Sequence, residues 1–235
     1  MLLFFLAIFE KQSLSNMSHP QHDLFENRNQ FQLERIILFS DAVFAIAITL
    51  LVIEIKVPDL HNGDAFGKIL REKWHDFFGL LISFAVIGQF WTTHHRLFGY
   101  INNYDGALLW LNLHLLFWVI IMPFSSAMNS LHGNMDSVWM FYSLNMFMIG
   151  MSVYFIWRYI ANPKRNLSTI ANEPMIRKMA LVRSFTIAMI FLSGFLLCLF
   201  DWVPTSILSR FVFILIFPAI TIIKRIYKPK DNPAY

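Results

Sequence analysis

The sequence predicts an all-α integral membrane protein of six transmembrane helices, and two observations carry that reading. Of its 235 residues, 57% are hydrophobic and only 14% charged, against about 25% charged in an average soluble domain. A soluble protein of this size could not hide so much apolar surface without exposing large patches. The apolar residues also fall into six segments, each reaching or approaching the ~20 residues that cross ~30 Å of hydrocarbon. Backbone groups in lipid must bond internally, which leaves helices or closed barrels. None of the segments has the alternating period of barrel strands, so helices are expected. Five to seven spans of about 20 residues use up the length, and an extramembrane enzyme domain has no room.

Taken in order, the first segment runs roughly over 35–57 and closes at Lys56 and Pro58. The second covers 76–98, the third 107–128, the fourth 137–160, the fifth 179–200 and the sixth 206–223. The sixth is the least regular, with Arg210 near its start and Pro218 near its end. The connections are short, as expected between antiparallel neighbours. The opening MLLFFLAIFE is apolar but lacks a basic flank and a small-residue cleavage site, so it is not read as a signal peptide. Met17 would open a more ordinary amino terminus, and residues 1–16 receive no function. The chain divides into an amino-terminal segment over 1–34, a six-helix domain over 35–223 and a tail over 224–235.

Net charge is +4, but most basic residues flank apolar runs. They act as topology signals and contacts to anionic lipid headgroups, not as a nucleic-acid surface. With the amino terminus inside, the cytoplasmic side collects fourteen of the 19 Lys and Arg. Lys56, Lys68, Arg71, Lys73 and Arg210 fall outside. Six spans then place both termini in the cytoplasm of a multi-pass protein of the cell membrane. The segment 161–178 is the largest inner loop, so its Asn166-Leu167-Ser168 sequon has no glycosylation role. The single cysteine, Cys198, lies in an apolar run and excludes intrachain disulfides. Trp74, Tyr100, Tyr104, Trp139, Trp157, Tyr159, Trp202 and Tyr227 lie near span ends, where aromatic residues form an interfacial belt.

The first span carries the chemistry. An Asp about one and a half turns into a membrane helix is expensive, and such residues face protein or water. Projected at ~100° per residue, Arg35, Phe39, Ile46, Thr49, Leu50 and Ile53 fall within about 60° of one direction. Ser40 and Asp41 point well away. One face is a ladder of aliphatic side chains with one hydroxyl; the other side carries a carboxylate. The second span ends with Trp91, His94, His95 and Arg96, and the third begins with Asn112 and His114. Topology alone puts these groups at one depth, where helices in lipid pack through interhelical hydrogen bonds. Asp41 has His94, His95, Asn112 and Arg96 as available donors. Pure helix-packing glue is the plainer account of each polar residue, but it leaves the aliphatic ladder unexplained.

The run Arg35-x-x-x-Phe39-Ser40-Asp41 resembles the signature of the endolysosomal potassium-channel family and its bacterial relatives. Trp91-x-x-His94-x-Arg96-Leu97-Phe98 in the second span and Asn112-Leu113 followed by Pro123-Phe124 in the third continue the resemblance, which covers roughly residues 33–125. It implies a six-helix, single-repeat subunit that assembles as a homotetramer in the lipid bilayer. The first helix of each subunit would line a modestly potassium-selective, hourglass-shaped pore. Carried over by position, Ile46, Leu50 and Ile53 would form the constricting layers and Thr49 a ring of hydroxyls. Arg35, Phe39, Ser40, Asp41, Trp91, His94 and Asn112 would hold the pore helix. His95 has no family role. Potassium would be the permeant ion, with no cofactor, no bound metal, no nucleic-acid partner and no enzymatic activity.

The chain has no TVGYG-like loop whose carbonyls could replace a hydration shell, so an apolar neck would gate by dewetting. A secondary transporter of ions or small solutes is the alternative, since transporters also use intramembrane Asp, Arg and His. Against it stand the lack of an inverted repeat and of paired broken helices. A hydrolase built on Ser40, Asp41 and the histidines fails on geometry: adjacent residues diverge by about 100° on a helix, so one His cannot bridge both. Chelation by His94-His95 fails likewise, because ligation favours i, i+4 spacing.

Overall fold

The computed structural model describes residues 20–53, 67, 71, 73–199 and 208–227, with the backbone alone for 20–28 and 75. The MLLFFLAIFE segment, Lys56 and Pro58, Lys68, Trp202 and the tail from 228 lie outside the described residues. Every regular element among them is helical: α1 (Pro20–Ile53), α2 (Trp74–Phe98), α3 (Gly106–His132), α4 (Asp136–Ile160), α5 (Pro174–Leu197) and α6 (Ile216–Ile226). Five stretches are long and apolar enough to cross a bilayer, namely Asn29–Ile53, Asp76–Phe98, Gly106–His132, Asp136–Ile160 and Pro174–Leu197. The chain is thus an all-α, multi-pass membrane protein.

Two elements differ from the expected segments. Helix α1 begins at Pro20, well ahead of Arg35, because helical geometry continues through polar residues that hydropathy does not count. The sixth segment is helical but broken. Val212–Leu215 tightens into a 3-10 turn and α geometry resumes at Ile216 for 11 residues. Pro218 supplies the reason: it has no N–H for the Ile214 carbonyl, and its ring is tolerated in a first turn but not farther in.

Contacts fix an antiparallel bundle. Asp41 of α1 meets Trp91 of α2, and Ser40 meets Asn112 of α3. Farther along, Ser83 of α2 pairs with Ser126 of α3. Asn145 of α4 donates to Ser125 of α3 at 2.9 Å, and His114 pairs with Ser152 at 2.9 Å. Helices α4 and α5 cross closely, since a Cβ on Gly150 would lie 3.1 Å from Ala188 Cα and Cβ. Trp139 and Trp157 are 7% and 5% exposed, so these two are core residues, not members of the expected interfacial belt. Tyr100 rests against Trp157, ring centroids 5.8 Å apart, and helix crossings rather than the headgroups take up these rings.

At one end of the bundle the α2–α3 and α4–α5 connections are clamped together. The Asn102 amide donates to the Leu167 carbonyl at 2.9 Å and the Thr169 amide to the Tyr100 carbonyl at 3.2 Å. Asn166 takes the left-handed conformation, φ 51°, which asparagine tolerates better than most residues. Asp105 caps α3 by accepting from the Leu108 amide at 2.8 Å and also accepts from the Tyr159 hydroxyl at 2.6 Å. Arg165 donates to that hydroxyl and stacks on the ring at 3.9 Å. Desolvation pushes the Asp105 carboxyl up, but the Tyr159 hydroxyl, the Leu108 amide and the Arg165 charge outweigh it. The carboxyl ends below its ordinary 3.8.

Candidate functional site

Helix α1 turns two unlike faces to its surroundings. Leu33, Ser40, Phe44, Ala47 and Leu51 are buried, spaced at three, four or seven residues as one side of a helix requires. They pack against α2 and α3. The opposite side stays open: Phe39 is 54% exposed, Ile46 58%, Leu50 37% and Ile53 70%, and Arg35 and Thr49 are exposed with them. The six residues that helical projection puts on one face therefore share the face that the subunit leaves uncovered. Thr49 donates its hydroxyl proton to the Ile46 carbonyl at 2.8 Å, so its oxygen offers only lone pairs outward.

Behind this face three helices are joined by one run of hydrogen bonds. Ser40 Oγ donates to the Ile36 carbonyl at 2.8 Å. Asn112 Nδ2 donates to Ser40 Oγ at 2.9 Å, and Asn112 Oδ1 lies 3.0 Å from His94 Nε2. An amide oxygen only accepts, so His94 carries its proton on Nε2. Ser40 and His94 are fully buried and Asn112 nearly so. The imidazole is held between aromatic rings, stacked on Phe98 at 4.3 Å and tilted against Phe44 at 5.4 Å. Phe44 is a partner that sequence reasoning passed over, although its place on the buried arc of α1 was there to be read.

Asp41 has a different partner from those expected. Its Oδ1 accepts from Trp91 Nε1 at 2.9 Å, and none of His94, His95, Asn112 or Arg96 hydrogen-bonds to it among the described residues. The cause is the angular divergence between neighbours on a helix: Ser40 faces α3 while Asp41 faces α2. His95 packs its ring beside Trp91 at 5.7 Å. Arg35 and Phe39 stand on the open face, and neither makes a side-chain hydrogen bond, ion pair or ring contact among the described residues. The site thus gathers Ser40, Asn112 and His94 in one chain and Asp41 with Trp91 in a second pair. It leaves Arg35, Phe39, Ile46, Thr49, Leu50 and Ile53 facing outward.

Comparison with known proteins locates the likeness on the same helices. Residues 35–123 match the sequence profile of the family described as endosomal/lysosomal potassium channel TMEM175. A potassium channel of Streptomyces collinus is 43% identical over 94 residues, 40% of this chain and 46% of that protein. The endosomal/lysosomal proton channel TMEM175 of Gallus gallus is 33% identical over 105 residues, 41% of this chain and 21% of that protein. The matched stretch thus spans about half the length of the first of these relatives and less of the second. Among solved structures, a lysosomal potassium-selective channel TMEM175 homologue from Chamaesiphon minutus superposes with a TM-score of 0.64 at 28% identity. The superposition covers 82% of this chain and 98% of that one. The part of the chain that holds the whole site, residues 35–123, is the part that matches the TMEM175 family profile, and the chain is similar to potassium channels of that family.

Proposed function

We propose that the chain is the subunit of a potassium-selective cation channel, four copies of which place α1 around a central pore. The observation that carries this reading is the divided surface of α1. Its buried arc anchors it to α2 and α3, and its uncovered arc is a ladder of aliphatic side chains interrupted by one hydroxyl. Four such ladders around an axis make an apolar neck at Ile46, Leu50 and Ile53. An apolar neck closes by losing its water and opens when slightly widened. Thr49 sits between these layers, and its outward lone pairs suit a partly dehydrated cation. The names of the relatives support potassium as the ion.

In this reading six segments, the sixth over 206–223 included, cross the cell membrane and both termini face the cytoplasm. Arg35, Phe39, Ser40, Asp41, Trp91, His94 and Asn112 keep the pore helix at its angle, with Ser40–Asn112–His94 as the rigid part. The protein catalyses no reaction and needs no cofactor beyond the permeant ion. Purified chain in liposomes, tested for ion flux driven by a potassium gradient, decides the matter. Unitary current steps with reversal following potassium are expected. Flux without unitary steps indicates a transporter, and reversal following the proton gradient indicates a proton pore.

A further inference from the structure

Far from the clamped end, three elements meet around Gly194 of α5. From α4 come Trp139 and Ser143, four residues apart and hence on one face. Trp139 is 7% exposed and Ser143 not at all, and among the described residues neither the indole N–H nor the hydroxyl has a hydrogen-bond partner. From the helical turn over 208–211 that precedes α6 comes the Ser209 carbonyl. A Cβ on Gly194 would lie 3.5 Å from that carbonyl oxygen, 3.6 Å from Ser143 Oγ and 3.9 Å from Trp139 Nε1. Polar atoms from α4 and from the stretch that leads into α6 thus gather around the position where a side chain at residue 194 would begin.

Buried polar groups are nearly always paired, and hydrocarbon offers no partner in place of protein. The indole N–H can only donate, a hydroxyl can do both, and a carbonyl can accept twice. The corner therefore calls for a small molecule that accepts from Trp139, donates to Ser209 and exchanges a bond with Ser143. A cation would meet the positive end of the N–H and an anion the negative end of the carbonyl. Water satisfies all three, within the two to four bonds usual for buried waters. We propose that the corner formed by Trp139, Ser143, Gly194 and the Ser209 carbonyl is a built site for one water molecule, kept open by Gly194. The water joins the α4–α5 pair to the turn that precedes α6. Arg210 ties the same place to the α3–α4 turn by donating to the Asn134 carbonyl at 2.9 Å and to Asp136 Oδ1 at 3.2 Å.

The test uses the full chain in lipid nanodiscs. Packing alone predicts that Gly194→Ala raises the melting temperature, because the nearest atom leaves ordinary contact distance and alanine favours helix over glycine. The water site predicts the opposite, a fall of about 3 °C or more, with Gly194→Ser recovering most of it through its own hydroxyl. Ultraviolet resonance Raman difference spectra against Trp139→Phe isolate this indole among the seven tryptophans. A hydrogen-bonded indole in the wild type that becomes unbonded in Gly194→Ala is expected. An unbonded wild-type indole, or a Gly194→Ala variant that melts at or above wild type, overturns the proposal. The wild-type spectrum decides by itself should Gly194→Ala fail to fold.

Discussion

Asn112 uses both ends of one amide on two other helices, accepting from His94 and donating to Ser40. Asn112→Leu keeps the branched shape but leaves a buried imidazole N–H without an acceptor and Ser40 without its donor. At about 1 kcal/mol or less for each interhelical bond lost, thermal unfolding in detergent should show a loss of roughly 1–2 kcal/mol. Ser40→Ala should cost less, since Asn112 keeps its bond to His94; equal losses would argue against the chain of bonds. On the open face, Ile46→Asn or Ile53→Asn should wet the neck, raising leak and moving the potassium-to-sodium permeability ratio toward one. Unchanged reversal potentials in bilayer recordings would count against α1 as the pore helix. Much of this was legible in advance: the spacing of Arg35, Phe39, Ile46, Thr49, Leu50 and Ile53 is enough to put them on one face. The partner of Asp41 was not legible. Several donors share its depth, and only the relative rotation of α1 and α2 selects Trp91.

At the scale of helices, two contacts set how the bundle holds together. Gly150 lets α4 touch the backbone of Ala188, where no flexible side chain can give way. Gly150→Ala should therefore part α4 from α5 and cost about 1–3 kcal/mol, read as a lower melting temperature. The clamp between the two connections has its own pH dependence. The Asp105 carboxyl lies below its ordinary 3.8 in the folded protein, so the unfolded state binds its proton first. The stabilisation is present above that ordinary value and is lost as pH falls through the lower, folded one. Amide exchange at Asn102 and Thr169 should accelerate over that acid range, and Tyr159→Phe should move the acceleration to higher pH. Hydropathy placed the second to fifth spans to within a few residues because lipid imposes their length. It misplaced the start of α1 and the continuity of the sixth segment because neither depends on apolarity. One follows from helix continuation through polar residues, the other from the backbone chemistry of Pro218.

For the whole molecule, the sequence reading reached the all-helical membrane class through composition and the likeness to the TMEM175 family through three ordered motifs. The expected four-copy assembly rests on the resemblance alone. No pattern within one chain states how many copies share an axis, and an uncovered apolar face suits lipid as well as a neighbour. Cysteines placed at 46, 50 and 53 decide between them: disulfides that join copies, together with block by a water-soluble thiol reagent, are expected of a shared pore. Labelling by a lipid-soluble reagent alone would return α1 to the bilayer.

At 34 residues, α1 is about 51 Å long, well beyond the hydrocarbon thickness. After Pro20 it holds neither proline nor glycine, two of the usual causes of a kink. Torque applied to its polar overhang would roll the aliphatic ladder like the bit of a key, with Ser40 and Phe44 as its bearing against the neighbouring helices.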